Sequence, residues 1–150
     1  MSVHPRLYEL MNEYGQSHQN RTNQLIHKIF VPLIVYSTLG LLYLVKISYF
    51  ETNLALIIVV AALFYYFQLS RFYCLIMAIF SALCLTIAHL LERQGILLSS
   101  SLFIFGFSWL MQFYGHKVEG VKPSFFKDLF FLLIGPLWVV QSCLPGKRQK

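Results

Sequence analysis

Two polar stretches interrupt an otherwise apolar chain, and both carry histidine. "YGQSHQNRTNQLIHKIFVP", from Tyr14 to Pro32, places His18 and His27 nine residues apart, with Asn20 and Asn23 between them. "YGHKVEGVKP", from Tyr114 to Pro123, holds His116, Lys117, Glu119 and Lys122, and Trp109 and Gln112 stand just upstream. Imidazole is a common ligand for first-row divalent metals, and three imidazoles leave coordination positions open for reactants. His18, His27 and His116 could therefore hold a catalytic metal. Asn20, Asn23, Gln112 and Glu119 are the polar groups that could hydrogen-bond the ligands and hold them in place, and Glu119, expected on a basic loop after His116, could instead complete the coordination sphere. The plain alternative is a wet interfacial segment whose polar groups meet lipid headgroups, with Gln112 a helix-packing group.

Local spacing tells which of these groups can meet. On one straight helix a separation of nine residues turns a side chain by about 180°, which would part His18 from His27. Asn20 and Thr22, however, are good helix N-cap types, so a helix is expected to begin between the two histidines. His18 then stands on the preceding turn and can fold back. Asn23 and His27 share one face of the new helix at i, i+4, and Gln112 and His116 do the same on theirs.

The elements that carry these residues must be membrane helices. The 150-residue chain is 57% hydrophobic and only 12% charged. Soluble domains carry about 25% charged residues. Its mean hydropathy is +0.63. Uncharged or nearly uncharged runs cover Ile29–Val45, Thr52–Ser70, Phe72–Leu91, Gln94–His116 and Leu129–Gly146. Each approaches the roughly 20 residues that a spanning helix needs, and open strands cannot satisfy their backbone in lipid. The expected fold is an all-α integral membrane protein, a single domain over residues 1–150, with about five hydrophobic helices. The last run contains Gly135-Pro136, a pair that can break it or make it re-entrant. Leu7, Leu10, Met11 and Tyr14 recur at helical spacing, which predicts a short N-terminal helix lying at the interface.

Connectivity then brings the histidines together. From His27 the chain crosses four times before His116, and an even number of crossings returns it to the same face. His18, His27, His116 and Glu119 thus share one membrane face, and His89 belongs to the other. Five crossings would place Arg6, Arg21, Lys28, Arg71, Lys117, Lys122 and Lys127 on the N-terminal side. Lys46, Arg93, Lys147, Arg148 and Lys150 would stand opposite. That margin favours a cytoplasmic N-terminus only slightly, and it changes if one run fails to cross.

Other function classes fit poorly. Basic residues are scattered between spans, so nucleic acid is not an expected partner. The formal charge of +6 suits anionic headgroups of membrane lipids. The polar first 28 residues do not form a signal peptide. Cys74, Cys84 and Cys143 lie in apolar runs without a CxxC pair and read as small hydrophobes. The runs hold almost no ionisable residue to mark a transport path. Five histidines are too few for the HxxxH and HxxHH boxes of membrane di-iron hydroxylases and desaturases.

The paired motifs H-x-N-x-x-N-x-x-x-H-x-x-x-x-P (His18 to Pro32) and W-x-x-Q-x-x-G-H-x-x-E-x-x-x-P (Trp109 to Pro123) resemble a family of small membrane 2-hydroxy fatty acid dioxygenases. "LLIGPLWV" is similar to that family's final helix, so the resemblance covers roughly residues 14–140. The family's fungal enzyme has a second histidine where this chain has Gln19, and its glutamate stands one residue later than Glu119. The resemblance implies an Fe(II)-dependent dioxygenase that shortens 2-hydroxy fatty acids by one carbon in α-oxidation, a step of sphingolipid breakdown. It implies His18, His27 and His116 as metal ligands, with O2 as co-substrate. Lys117 or Lys122 could attract the substrate carboxylate, and Trp109, with Phe30 and Phe113, could hold its acyl tail. The implied location is the inner membrane in a bacterium or the endoplasmic reticulum in a eukaryote. The rival reading is a non-enzymatic membrane scaffold or lipid-binding protein with interfacial histidines. Oligomeric state is open.

Overall fold

The structure, a computed structural model, describes residues 5–16, 18–120 and 125–143. It is an all-α membrane-protein fold. The short helix α1 (Pro5–Gln16) precedes five hydrophobic helices: α2 (Arg21–Tyr43), α3 (Leu54–Leu69), α4 (Arg71–Arg93), α5 (Leu97–Glu119) and α6 (Phe125–Cys143). A small hairpin of β1 (Lys46–Ile47) and β2 (Thr52–Asn53) joins α2 to α3. Helix boundaries follow the capping chemistry. The Asn20 side chain accepts from Thr22 N at 2.8 Å and starts α2. Asn53 does the same for Leu56 N and starts α3. Gly120, at φ 77°, closes α5 in the left-handed conformation that glycine adopts at no steric cost.

Helices α2, α4 and α5 have 23 residues each and are long and apolar enough to cross a membrane. Helix α3 has 16 residues, or about 24 Å at 1.5 Å per residue. The described part of α6, Leu133–Cys143, is shorter still. The α2–α5 pair is the spine. Ser37 and Gly40 on α2 and Ser101, Ser108 and Gly115 on α5 are buried between them. A Cβ on Gly40 would collide with Ser101 Oγ, so the two backbones approach as closely as glycine permits. The α1 stripe of Leu7, Met11 and Tyr14 packs on Tyr66, Leu69, Tyr73, Met77, Ile134 and Leu137. Protein therefore covers the face that the sequence alone assigns to the membrane interface. Cys84 is buried as expected, whereas Cys143 is exposed at the end of α6.

The path of α6 revises the crossing count. Helix α2 runs from the histidine end of the bundle to the hairpin end, and α3 brings the chain back. There the Tyr66 hydroxyl donates to Leu133 O at 2.9 Å. Helix α4 returns to the hairpin end, where Lys46 meets Glu92 at 2.8 Å and Tyr43 OH lies 3.1 Å from His89 Nδ1. Helix α5 then ends at His116 and Glu119, beside His18 and Asn23. The described half of α6 is also at this end, with Trp138 5.7 Å from His18 and Gly135 against Tyr14 and Val31. Five residues of extended chain from Gly120 to Phe125 reach about 18 Å at most, well short of an apolar core of about 30 Å. So α6 neither begins nor ends at the hairpin end. The chain makes four passes, not five, and α6 is the non-crossing run that Gly135-Pro136 foreshadows.

Among the described residues, four passes put Arg6, Arg21, Lys28, Arg71 and Lys117 on the histidine side. Lys46 and Arg93 remain opposite. This is a basic bias, and the histidine end is expected to face the cytoplasm. Single cysteines replacing Gln16, Ser142 and Tyr49, all exposed, test this in a cysteine-free background. Gln16→Cys and Ser142→Cys should react with an impermeant maleimide from the cytoplasmic side only, and Tyr49→Cys from the other side only. Labelling of Gln16→Cys and Ser142→Cys from opposite faces would restore a fifth crossing.

Candidate metal centre

The Asn20 cap sets the helical phase of α2 so that Asn23 and His27, one turn apart, both face α5. Helix α5 presents Gln112 and His116 in return. His18 stands on the short link between α1 and α2, where its backbone N–H donates to Gly15 O at 3.1 Å. The three imidazoles converge. Ring centroids lie 4.1 Å apart for His18–His27, 5.4 Å for His27–His116 and 5.8 Å for His18–His116. One nitrogen from each lies within 4.8 Å of the other two. Exposure is 3% for His18, 3% for His27 and 9% for His116. Three buried imidazoles rarely cluster without a partner to satisfy them.

Hydrogen bonding selects the atoms available to a metal. His18 Nδ1 lies 2.6 Å from Tyr14 O, and His27 Nδ1 lies 3.0 Å from Asn23 O. A carbonyl only accepts, so each Nδ1 carries the proton and each Nε2 keeps its lone pair. This is the arrangement in which metal-binding histidines are held. His116 Nδ1 is buried with no hydrogen-bond partner among the described residues. Metal–imidazole bonds of about 2.1 Å put two ligand nitrogens at most about 4.2 Å apart. Three nitrogens around one ion stand about 3.0–3.6 Å from one another, so the widest separation in the triad, up to 4.8 Å, closes by about 1–2 Å when an ion is gripped. The residues present fit a divalent metal. Burial lowers the His18 pKa below its ordinary value, with the His116 ring adding to the effect and the Tyr14 carbonyl opposing it. His18 is thus neutral at neutral pH, the form that binds metal.

Glu119 belongs to α5 rather than to a following loop, so it shares a helical face with His116 three residues earlier. Its carboxylate accepts from Gln19 N at 2.7 Å, from Asn20 N at 3.0 Å and from Asn23 Nδ2 at 3.0 Å. These donors are the α1–α2 link and the first turn of α2, not an imidazole. Glu119 therefore acts on the ligands at one remove. It ties the link bearing His18 and the Asn23 that orients His27 to the helix bearing His116. Gly115 makes room for the tie, since a Cβ there would collide with Asn23 Oδ1.

Two aromatic walls were not foreseen as site residues. Tyr14 stacks on His18 with centroids 4.2 Å apart, and Trp138 lies 5.4 Å from Tyr14. Tyr14 is visible in the sequence as four residues before His18, but Trp138 gives no local sign because it comes from the far end of the chain. Gln112 is 4% exposed, and its Nε2 has no partner among the described residues. Trp109 is flanked by Phe105 and Phe113 at 6.2 and 5.9 Å. It lies two turns of α5 from His116, so it lines the approach rather than the centre. Lys117 is exposed beside His116. Lys122 lies outside the described residues. His89 is at the other end of the bundle against Tyr43.

Replacing His18, His27 or His116 with Ala should each abolish stoichiometric metal in the purified protein, measured by elemental analysis, and His89→Ala should keep it. Full occupancy in all three triad variants would remove the assignment. Glu119→Gln turns an amide N–H toward backbone donors that need an acceptor. Fe(II) affinity should fall about 10–100-fold, as for other outer-shell changes, while the helical circular dichroism is retained. Unchanged affinity would show that the ligands hold their places without this tie.

Residues 5–147 match the family described as 2-hydroxy-palmitic acid dioxygenase Mpo1-like. The chain is also similar to the 2-hydroxy-palmitic acid dioxygenase MPO1 of Saccharomyces cerevisiae, at 33% identity over 135 residues, covering 85% of this chain and 73% of the yeast protein. No solved structure matches it. With the matched region spanning α1 to the end of α6 and enclosing the whole histidine cluster, the chain belongs to the Mpo1-like family.

Proposed function

We propose that this protein is an Fe(II)-dependent dioxygenase that converts 2-hydroxy fatty acids to fatty acids one carbon shorter. The observation that carries the reading is the buried triad of His18, His27 and His116, with ligand nitrogens within 4.8 Å of one another at the polar end of an apolar bundle. The name of the yeast relative supplies the substrate class. The overall chemistry balances without another reductant. A 2-hydroxy acid and one O2 contain the atoms of the shortened acid, carbon dioxide and water.

Bound iron would act as a Lewis acid and a template for oxygen, lowering the pKa of the substrate hydroxyl. A 2-hydroxy carboxylate suits such a site, because its two oxygens on adjacent carbons can bind one ion in a five-membered ring. Three neutral imidazoles add no charge of their own, so the anionic substrate is the natural counter-charge. The Tyr14 and Asn23 carbonyls keep the His18 and His27 lone pairs aimed inward. Gln112, buried one turn from His116 with its Nε2 unmet, is positioned to donate to the carboxylate or to O2. Tyr14 and Trp138 shield the His18 side. Lys117 gathers the acid at the interface, and Trp109 with Phe113 guides its tail along α5. The substrate and O2 meet at headgroup depth, in the inner membrane of a bacterium or the endoplasmic reticulum of a eukaryote.

The test is direct. The protein purified in detergent and loaded with Fe(II) should consume 2-hydroxypalmitate in air and release the acid one carbon shorter. It should do neither anaerobically. Palmitate, which lacks the hydroxyl, should not be consumed. Turnover without metal, or equal turnover without oxygen, would overturn the reading. A loaded protein inert toward 2-hydroxy acids of every chain length would favour the scaffold alternative.

A further inference from the structure

The two sides of the histidine cluster differ. His27 and His116 look into the α2–α5 seam. His18 also borders a cavity of about 360 Å³ between α1, the α1–α2 link and the last turns of α6. Its walls include the side chains of Asn12, Gln16, Gln19, Gln24 and Gln141, together with Trp138. These are five of the twelve Asn and Gln residues in the whole chain. Among the described residues no Lys, Arg, Asp or Glu lines it, and His18 is the only member of the triad that does. Gln19 Nε2 donates to Gly15 O at 2.6 Å and Gln24 Nε2 to His18 O at 2.8 Å. Both amides are thereby held with their carbonyl oxygens available.

This lining selects among possible occupants. An acyl tail would displace water from these exposed and half-buried carboxamides and offer no hydrogen bond in its place. An anionic headgroup would find no cation to meet it among the described residues. Neutral amide oxygens suit water and the water shell of a hard cation. They neither repel the ion, as Lys or Arg would, nor trap it, as a cluster of carboxylates would. We propose that the cavity is the aqueous mouth of the metal centre, through which a hydrated divalent cation reaches His18 first and is passed to His27 and His116. The proposal rests on the metal reading above and adds a direction to it. Metal is exchanged from the α1–α6 side, away from the lipid-facing approach along α5.

The experiment follows metal exchange rather than turnover. Metal-free full-length protein in detergent is mixed with Co(II) under anaerobic conditions, and uptake is read from the visible absorption of the bound ion. Loaded protein is then stripped with excess EDTA. Ser142→Trp and Gln141→Trp add bulk at the rim, on the last turns of α6. Uptake and stripping share one barrier at the mouth, so both should slow by the same factor, about tenfold or more, with final occupancy unchanged. The double change Asn12→Leu with Gln141→Leu dries the mouth without filling it and should slow both steps in the same direction. Leu102→Trp, on the exposed face of α5, should alter neither. Wild-type exchange rates in all the mouth variants would overturn the proposal. So would lowered occupancy at unchanged rates, because that is a change in the ligands and not in their access. A wild-type protein that binds no Co(II) would instead fail the metal reading itself.

Discussion

Everything at the histidine end depends on how closely α2 and α5 approach. Lipid tails are as apolar as leucine, so two helices in a bilayer gain little by burying apolar side chains against each other. What holds them is close backbone packing and polar contacts across the seam. Gly40 against Ser101, with Ser37 and Ser108 buried on the same two helices, brings the backbones together. At the polar end, Gly115 gives its space to Asn23, and Asn23 reaches Glu119. A bulkier residue anywhere on that line would push His27 away from His116. The seam of small residues and the histidine cluster are therefore one feature: the first sets the separation of the second.

The third histidine comes from a different source of order. His18 belongs to no helix, and a ligand on a link is only as precise as the link. Three constraints act on it. Its Nδ1 is fixed to the end of α1 through the Tyr14 carbonyl, and its ring is sandwiched by Tyr14. The backbone just after it is clamped to α5 by Glu119. Helix α1 is in turn held by the described half of α6 through Ile134 and Leu137. That is the structural use of an amphipathic helix with its stripe turned inward. It is less a membrane anchor than the lever that sets His18.

Much of this was legible from residue types alone. Stretch lengths showed the helical membrane fold, and the Asn20 cap between His18 and His27 showed why two histidines nine residues apart need not diverge. The parity of crossings placed His116 with them, because parity depends only on the number of spans and not on their packing. What the sequence concealed was of two kinds. Whether Glu119 continues α5 or starts a loop turns on where Gly120 takes its left-handed conformation, and neighbouring polar residues blur that boundary. The behaviour of α6 is a tertiary fact. Its hydropathy is that of a span, and only the reach of the chain from Gly120 and the position of Trp138 beside His18 show that it stays on one side.

That last point joins topology to chemistry. A run that crossed would have left the His18 side of the centre open, with no aromatic wall and no covering helix. Because α6 stays, it contributes Trp138 at 5.7 Å from His18 as one wall of the centre. Lys46 and Arg93 stand at the opposite end of the bundle. Lys46 is itself paired with Glu92. The wall beside His18 thus arises from the decision of α6 to stay at one end of the bundle. On the proposed reading, that decision also suits the substrate. An amphiphile with its carboxylate among the headgroups and its tail in the bilayer presents its reactive carbons at the boundary between the two. A metal centre at the basic, capped end of a bundle meets it at that depth, with helices below for the tail and water beyond α1 for the ion.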